Sequence, residues 1–131
     1  MPYRVFVSHA TDDGWVAEQL AANIESCGAT AFLDRRDIHH GDNFKERIKA
    51  ELERSDELLA QFTPWSRRRA WVRHEMGMAD ALNKRIVCIF YKVGVADFQN
   101  DEDGLGPVDG MNTIDINNMA QYFAELRERV G

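Results

Sequence analysis

Glu75 has a setting that folding alone does not readily explain. At about 100° per residue, a helix through this stretch gathers Trp71, Val72, Met76, Met78, Ala79 and Leu82 into one apolar arc. Arg73, Asp80 and Lys84 fall on the opposite side, with His74 and Asn83 at the margins. Glu75 lies near the middle of the arc, flanked on the wheel by Leu82, Trp71 and Ala79. A carboxylate there is partly desolvated, which is costly unless something compensates. Desolvation raises a carboxylate's pKa, and residues perturbed in this way concentrate at functional sites. Trp71 precedes Glu75 by one turn, at spacing i, i+4. An aromatic beside a carboxylate suits a planar, positively charged ring bound near a ribose. Each residue also has an ordinary explanation: Glu75 pairs with an arginine or caps a neighbouring loop, and Trp71 packs in the core.

The elements that would position these residues follow from the hydrophobic pattern. Strand-like apolar runs at Tyr3–Ser8, Thr30–Leu33, Glu57–Phe62, Arg85–Tyr91 and Thr113–Ile116 alternate with segments of helical period. The first helix, capped by Asp12 or Asp13, carries Val16, Leu20 and Ile24 and stops at Cys27-Gly28. The second carries Phe44, Ile48 and Leu52, and the third follows the Thr63-Pro64 break and runs to about Asn83. The last carries Met119, Tyr122, Phe123, Leu126 and Val130. Gly94 to Met111, with its glycines and the acidic triplet Asp101-Glu102-Asp103, reads as a long surface loop within one domain, residues 1–131. Five β-α repeats predict a flavodoxin-like α/β sandwich of three layers: a parallel five-stranded sheet in the order 2-1-3-4-5, with helices on both faces. Ligands of such sheets bind beyond the carboxyl ends of the strands, at the switch point between strands 1 and 3. That rule selects the loop from Ser8 to Gly14 and the segment from Thr63 onward, which places Glu75 beside the switch point and favours a functional role for it.

Composition narrows the classes. The 131 residues are 44% hydrophobic and 29% charged, which suits one globular domain and excludes a mainly disordered chain. Sixteen basic and 22 acidic residues give a net charge of −6, so general nucleic-acid binding and an anionic membrane surface are poor fits. No signal peptide opens the sequence and no apolar run approaches the roughly 20 residues of a membrane span. Two cysteines, Cys27 and Cys88, are too few for a disulfide scaffold, and the expectation is a cytoplasmic protein with reduced thiols. Cys88 reads as a small core residue of strand 4. His9, His39 and His40 lack metal-ligand spacing with either cysteine, and no glycine-rich phosphate motif occurs.

Three motifs, in order, carry a family resemblance. Val5-Phe6-Val7-Ser8-His9-Ala10 resembles box 1 of the Toll/interleukin-1 receptor (TIR) family. Phe32-Leu33-Asp34 through Ile38, and Gly41 to Phe44, resembles its BB loop, and Thr63-Pro64 followed by Trp71-Val72-Arg73-His74-Glu75 resembles its third-helix motif. The match spans about residues 3 to 91. The last 40 or so residues agree only in their β-α plan.

The resemblance implies an NAD+ glycohydrolase, and the short chain and its Thr-Pro-Trp variant resemble bacterial members, whose setting is immune defence and signalling. Glu75 takes the place of the catalytic glutamate and Trp71 that of the aromatic on the nicotinamide side. Ser8, His9, Ala10 and Thr11, together with Asp34, Arg35 and Ile38, border the dinucleotide, and Thr63 lies at the pocket floor. NAD+ is then the substrate, with no metal and no further cofactor, and the products are nicotinamide and ADP-ribose or a cyclic isomer of it. The implied partners are copies of the same domain, meeting through contacts that include the BB loop at 34–44, and a sensor protein or domain outside this chain. The loop after strand 1 departs from NAD-cleaving relatives that carry arginines there. Arg35, Arg36 or Arg67-Arg68-Arg69 remain as candidates for phosphate contacts, although the triplet is more readily read as a solvated face. A non-catalytic TIR assembly module is the alternative function. A phospho-acceptor receiver domain shares the plan but needs an aspartate where this chain has Thr63. A nucleoside deoxyribosyltransferase also shares it, against the BB-loop match.

Overall fold

The computed structural model describes residues 3–9, 14–33, 44–63, 70–92 and 112–131. Strands β1 (Arg4–Ser8), β2 (Thr30–Leu33), β3 (Glu57–Phe62), β4 (Arg85–Phe90) and β5 (Asn112–Asp115) form one sheet in the order β2-β1-β3-β4-β5. All the pairings are parallel, with Val7 opposite Leu33 and Leu59, and Leu59 opposite Val87. Helices α1 (Gly14–Ser26), α2 (Phe44–Arg54), α3 (Ala70–Ala81) and α4 (Met119–Val130) connect or follow these strands. The expected strand order and layering are therefore the observed ones.

Alternation along each strand divides the core in two. Val5, Val7, Ala31, Leu33, Leu59, Val87 and Ile89 face one way and pack with Ala17, Leu20, Ala21 and Ile24 of α1 and with Tyr122 and Leu126 of α4. Phe6, Phe32, Leu58, Ala60, Phe62, Ile86, Cys88 and Phe90 face the other way, against Ile48 and Leu52 of α2 and Met76 and Ala79 of α3. Strands buried on both faces explain why β3 and β4 read as nearly continuous apolar runs. Cys88 is buried in this core, and burial pushes its thiol pKa up to about 12.

Helix ends follow local chemistry. Gly28 adopts φ 94° after α1, a left-handed conformation that glycine enters without steric cost, and its backbone N–H donates to Glu25 O at 3.1 Å. A side chain here would also crowd Val130, because a Cβ would stand 3.3 Å from that residue's Cγ1. Asn83, at φ 58°, turns the chain after α3.

Four strand boundaries shift. β1 begins at Arg4 rather than Tyr3, β4 ends at Phe90 rather than Tyr91, and β5 runs from Asn112 to Asp115 rather than from Thr113 to Ile116. The reason at β5 is the Asp115 side chain, which accepts from the Asn117 backbone N–H at 2.8 Å and starts a short 3-10 turn at Ile116. Leu82, placed by periodicity on the apolar arc, is 38% exposed. The regular helix stops at Ala81, so Leu82 belongs to the closing turn and leaves the buried face. The expected caps Asp12 and Asp13 and the loop from Gly94 to Met111 lie outside the described residues.

Candidate functional site

The two strands at the centre of the switch point are neighbours, with Ser8 at the end of β1 opposite Ala60 of β3. Alternation sends the Ser8 side chain to the same face as Phe6, the face covered by α2 and α3. Glu75 stands on α3, in the turn that also places Met76 and Ala79 against the sheet. The Ser8 hydroxyl donates to Glu75 Oε1 at 2.5 Å. Both residues are fully buried, at 0% exposure. A contact of that length is in the range of a hydroxyl bonded to a carboxylate, a stronger interaction than one between neutral groups. It supplies compensation for desolvating the carboxylate, which Met76, Ala79 and the apolar strands around it do not.

The same end of the sheet holds two more buried polar residues. His9 follows β1 and Thr63 follows β3, and both are buried. Ser8, His9, Thr63 and Glu75 therefore share the carboxyl-terminal end of neighbouring strands and the helix beside them. Trp71 is in α3, one turn before Glu75, with its side chain outside the described residues. Ala10, Thr11, Asp34, Arg35 and Ile38 also lie outside them, as do Arg36 and Arg67 to Arg69. No group of three or more His, Cys, Asp or Glu residues suited to a metal ion occurs among the described residues.

A second buried carboxylate escaped the sequence reading. Glu57 opens β3 at the amino-terminal end of the sheet, on the face covered by α4. It is fully buried and accepts from Tyr3 Oη at 2.8 Å, from Tyr122 Oη, and from Arg129 Nε at 3.0 Å. Arg129 Nη2 lies 2.9 Å from Glu57 Oε1, and the guanidinium stacks 5.7 Å from the Tyr122 ring centroid. Burial, followed by the Glu57 carboxylate, raises the Tyr3 pKa to about 12, and the same causes raise that of Tyr122. Burial alone would lower the Arg129 pKa. The Glu57 charge with Tyr3 and Tyr122 outweighs it, and the net shift is upward. Glu51 of α2 is a third buried acid, 2.7 Å from Arg4, 3.4 Å from Arg47 and 3.6 Å from Arg54. The signal for Glu57 was available: a charge in a parallel strand that is otherwise buried on both faces must find a partner.

A doubly wound α/β sheet with a buried carboxylate beside its switch point defines the class of molecule. The TIR domain model matches residues 5–130, and the chain belongs to the TIR domain family. The TIR domain of the Toll-related receptor TRR-2 from Hydra magnipapillata is 21% identical, covering 94% of this chain and 97% of that one with a TM-score of 0.72. The TIR domains of the activated Roq1 resistosome, an assembly recognising the pathogen effector XopQ, are 16% identical, covering 98% and 96%, with a TM-score of 0.73. The CMP N-glycosidase BcmB of Clostridium botulinum is 19% identical, covering 94% and 97%, with a TM-score of 0.61. At these identities the likeness concerns the fold. No curated protein matches the sequence. No described helix is long and apolar enough to cross a membrane.

Proposed function

We propose that the chain is an NAD+ glycohydrolase whose catalytic group is Glu75, acting as an effector in bacterial immune signalling in the cytoplasm. The observation that carries this reading is the fully buried Glu75 carboxylate, bonded to Ser8 at the carboxyl end of β1. A carboxylate kept in an apolar core costs stability unless it is compensated, and a functional role accounts for its retention. Membership of the TIR family agrees with it, and the fold likeness to a nucleotide N-glycosidase shows that a related scaffold serves N-glycosidic chemistry.

The chemistry needs little more than one placed carboxylate. In NAD+ the bond from ribose C1′ ends on a pyridinium nitrogen that already carries positive charge. Its electron pair leaves with nicotinamide, which departs neutral and needs no general acid. The ribose left behind is oxocarbenium-like, as in glycoside hydrolysis, and a negative charge fixed in a low-dielectric site stabilises it as it forms. Water then adds at C1′ and loses a proton to give ADP-ribose. Addition by the adenine end gives a cyclic isomer instead. Trp71 would border the nicotinamide, Thr63 the pocket floor, and His9, Ala10, Thr11, Asp34, Arg35 and Ile38 the rest of the dinucleotide. No metal or added cofactor enters this scheme.

Self-association through surfaces that include the BB loop at 34–44 would complete the site, and a sensor outside this chain would trigger it. The Roq1 TIR domains are part of a resistosome. One observation favours an assembly role in its own right: Trp15, in the first turn of α1, is 73% exposed. A TIR module that only assembles is therefore the second reading. Purified protein incubated with NAD+ separates the two, with released nicotinamide followed by chromatography. The glycohydrolase reading expects nicotinamide and an ADP-ribose product. Intact NAD+ at high protein concentration and under crowding would leave the assembly reading.

A further inference from the structure

We infer that Ser8 is a positioning residue for Glu75 rather than a contact to the dinucleotide. The inference rests on the proposed role of Glu75 and assigns the box-1 serine a different task from the one its loop suggests.

A serine hydroxyl has one proton to donate. Here that proton goes to Glu75 Oε1 at 2.5 Å, so it is not available to a phosphate oxygen. Ser8 is also fully buried, on a strand whose backbone is fixed by pairing with β2 on one side and β3 on the other. Its hydroxyl is thus held by the most constrained part of the fold, while Glu75 belongs to a helix and has a longer side chain with more rotatable bonds. Holding Oε1 from the sheet selects one rotamer for the carboxylate and fixes its distance from the strand ends where ligands of this fold bind. A group that stabilises developing charge must be in place before the charge forms. The hydroxyl therefore acts through Glu75, on the rate of bond breaking, and contributes little to binding intact NAD+.

Two arms test this on the full chain. The kinetic arm compares the parent with Ser8→Ala and Ser8→Thr at one protein concentration. Ser8→Ala is expected to lower kcat on the order of 10- to 100-fold with KM changed less than about twofold, and Ser8→Thr, which keeps the hydroxyl, to recover most of that loss. A raised KM with kcat retained would make Ser8 a substrate contact and overturn the inference, as would a threonine variant no better than alanine. The second arm reads the carboxyl 13C resonance of Glu75, assigned through Glu75→Gln, together with the hydroxyl proton bonded to it in the parent. This arm does not depend on a variant folding or on turnover. A hydroxyl proton correlated with the Glu75 carboxyl group is expected, and its absence overturns the inference. An inactive parent that still shows this correlation overturns the glycohydrolase reading while leaving the contact standing.

Discussion

Three carboxylates are buried among the described residues, and they differ in their partners. Glu57 has an arginine and two tyrosines, Glu51 has three arginines, and the contact seen for Glu75 is the hydroxyl of Ser8. The first two are neutralised by opposite charge in the manner of structural ion pairs. The position of Glu75 was the one legible in the sequence, because a carboxylate interrupts an apolar arc there. Its contact with Ser8 was not legible: the two residues are 67 apart in sequence, and only the docking of α3 on the sheet brings them together. Single groups also set the alkaline limit of the fold. The raised pKa values of Tyr3 and Cys88, each about 12 against ordinary values of 10.0 and 9.0, mean that the folded protein favours the neutral forms. The stability they contribute is fully present below about pH 9 and is lost as pH rises from there to about 12, because the unfolded chain releases these protons first. Urea midpoints should therefore fall steeply across that interval. A midpoint constant to pH 12 would contradict the buried, neutral state of these groups.

At the scale of elements, the C-terminal helix is fastened by polar contacts as well as by apolar packing. Tyr122 and Leu126 of α4 enter the core, while Arg129 and the Tyr122 hydroxyl reach the Glu57 carboxylate at the start of β3. Removing the charge of Arg129 leaves a buried carboxylate held by two hydroxyls alone. Arg129→Met is expected to cost about 2 to 3 kcal/mol and to speed hydrogen exchange of α4 amides more than those of α2. Uniform or unchanged exchange would show that α4 is held by its apolar face alone. Strand positions were read from the sequence almost residue by residue, since β2 and β3 have the expected bounds and β1 loses only Tyr3. Short apolar runs between helix signals make that possible. What escaped was the partner of each polar side chain within a strand. Glu57 looks like an ordinary polar first residue until the register with β1 and the docking of α4 give it a face. Leu82 failed for the opposite reason, because periodicity extends a helical arc past the turn where the helix ends.

At the scale of the molecule, the sheet separates its two polar clusters. The Glu57 clamp lies at the amino-terminal end of the strands and the Ser8–Glu75 pair at the carboxyl-terminal end, so mutations of the clamp should change stability without redesigning the site. The net charge of −6 makes nucleic acid a poor partner but does not exclude one anionic dinucleotide held by local groups. If copies of the domain complete each other's sites, NAD+ consumption should rise more than linearly with protein concentration, and strict proportionality over a wide range would contradict that requirement. The central claim concerns Glu75 itself, and Glu75→Gln tests it most directly because the amide keeps the size of the side chain and an oxygen to accept from Ser8. Nicotinamide release should fall about 100-fold or more, while the thermal midpoint stays level or rises, since an amide is cheaper to bury than a carboxylate. Undiminished release by Glu75→Gln would contradict the account.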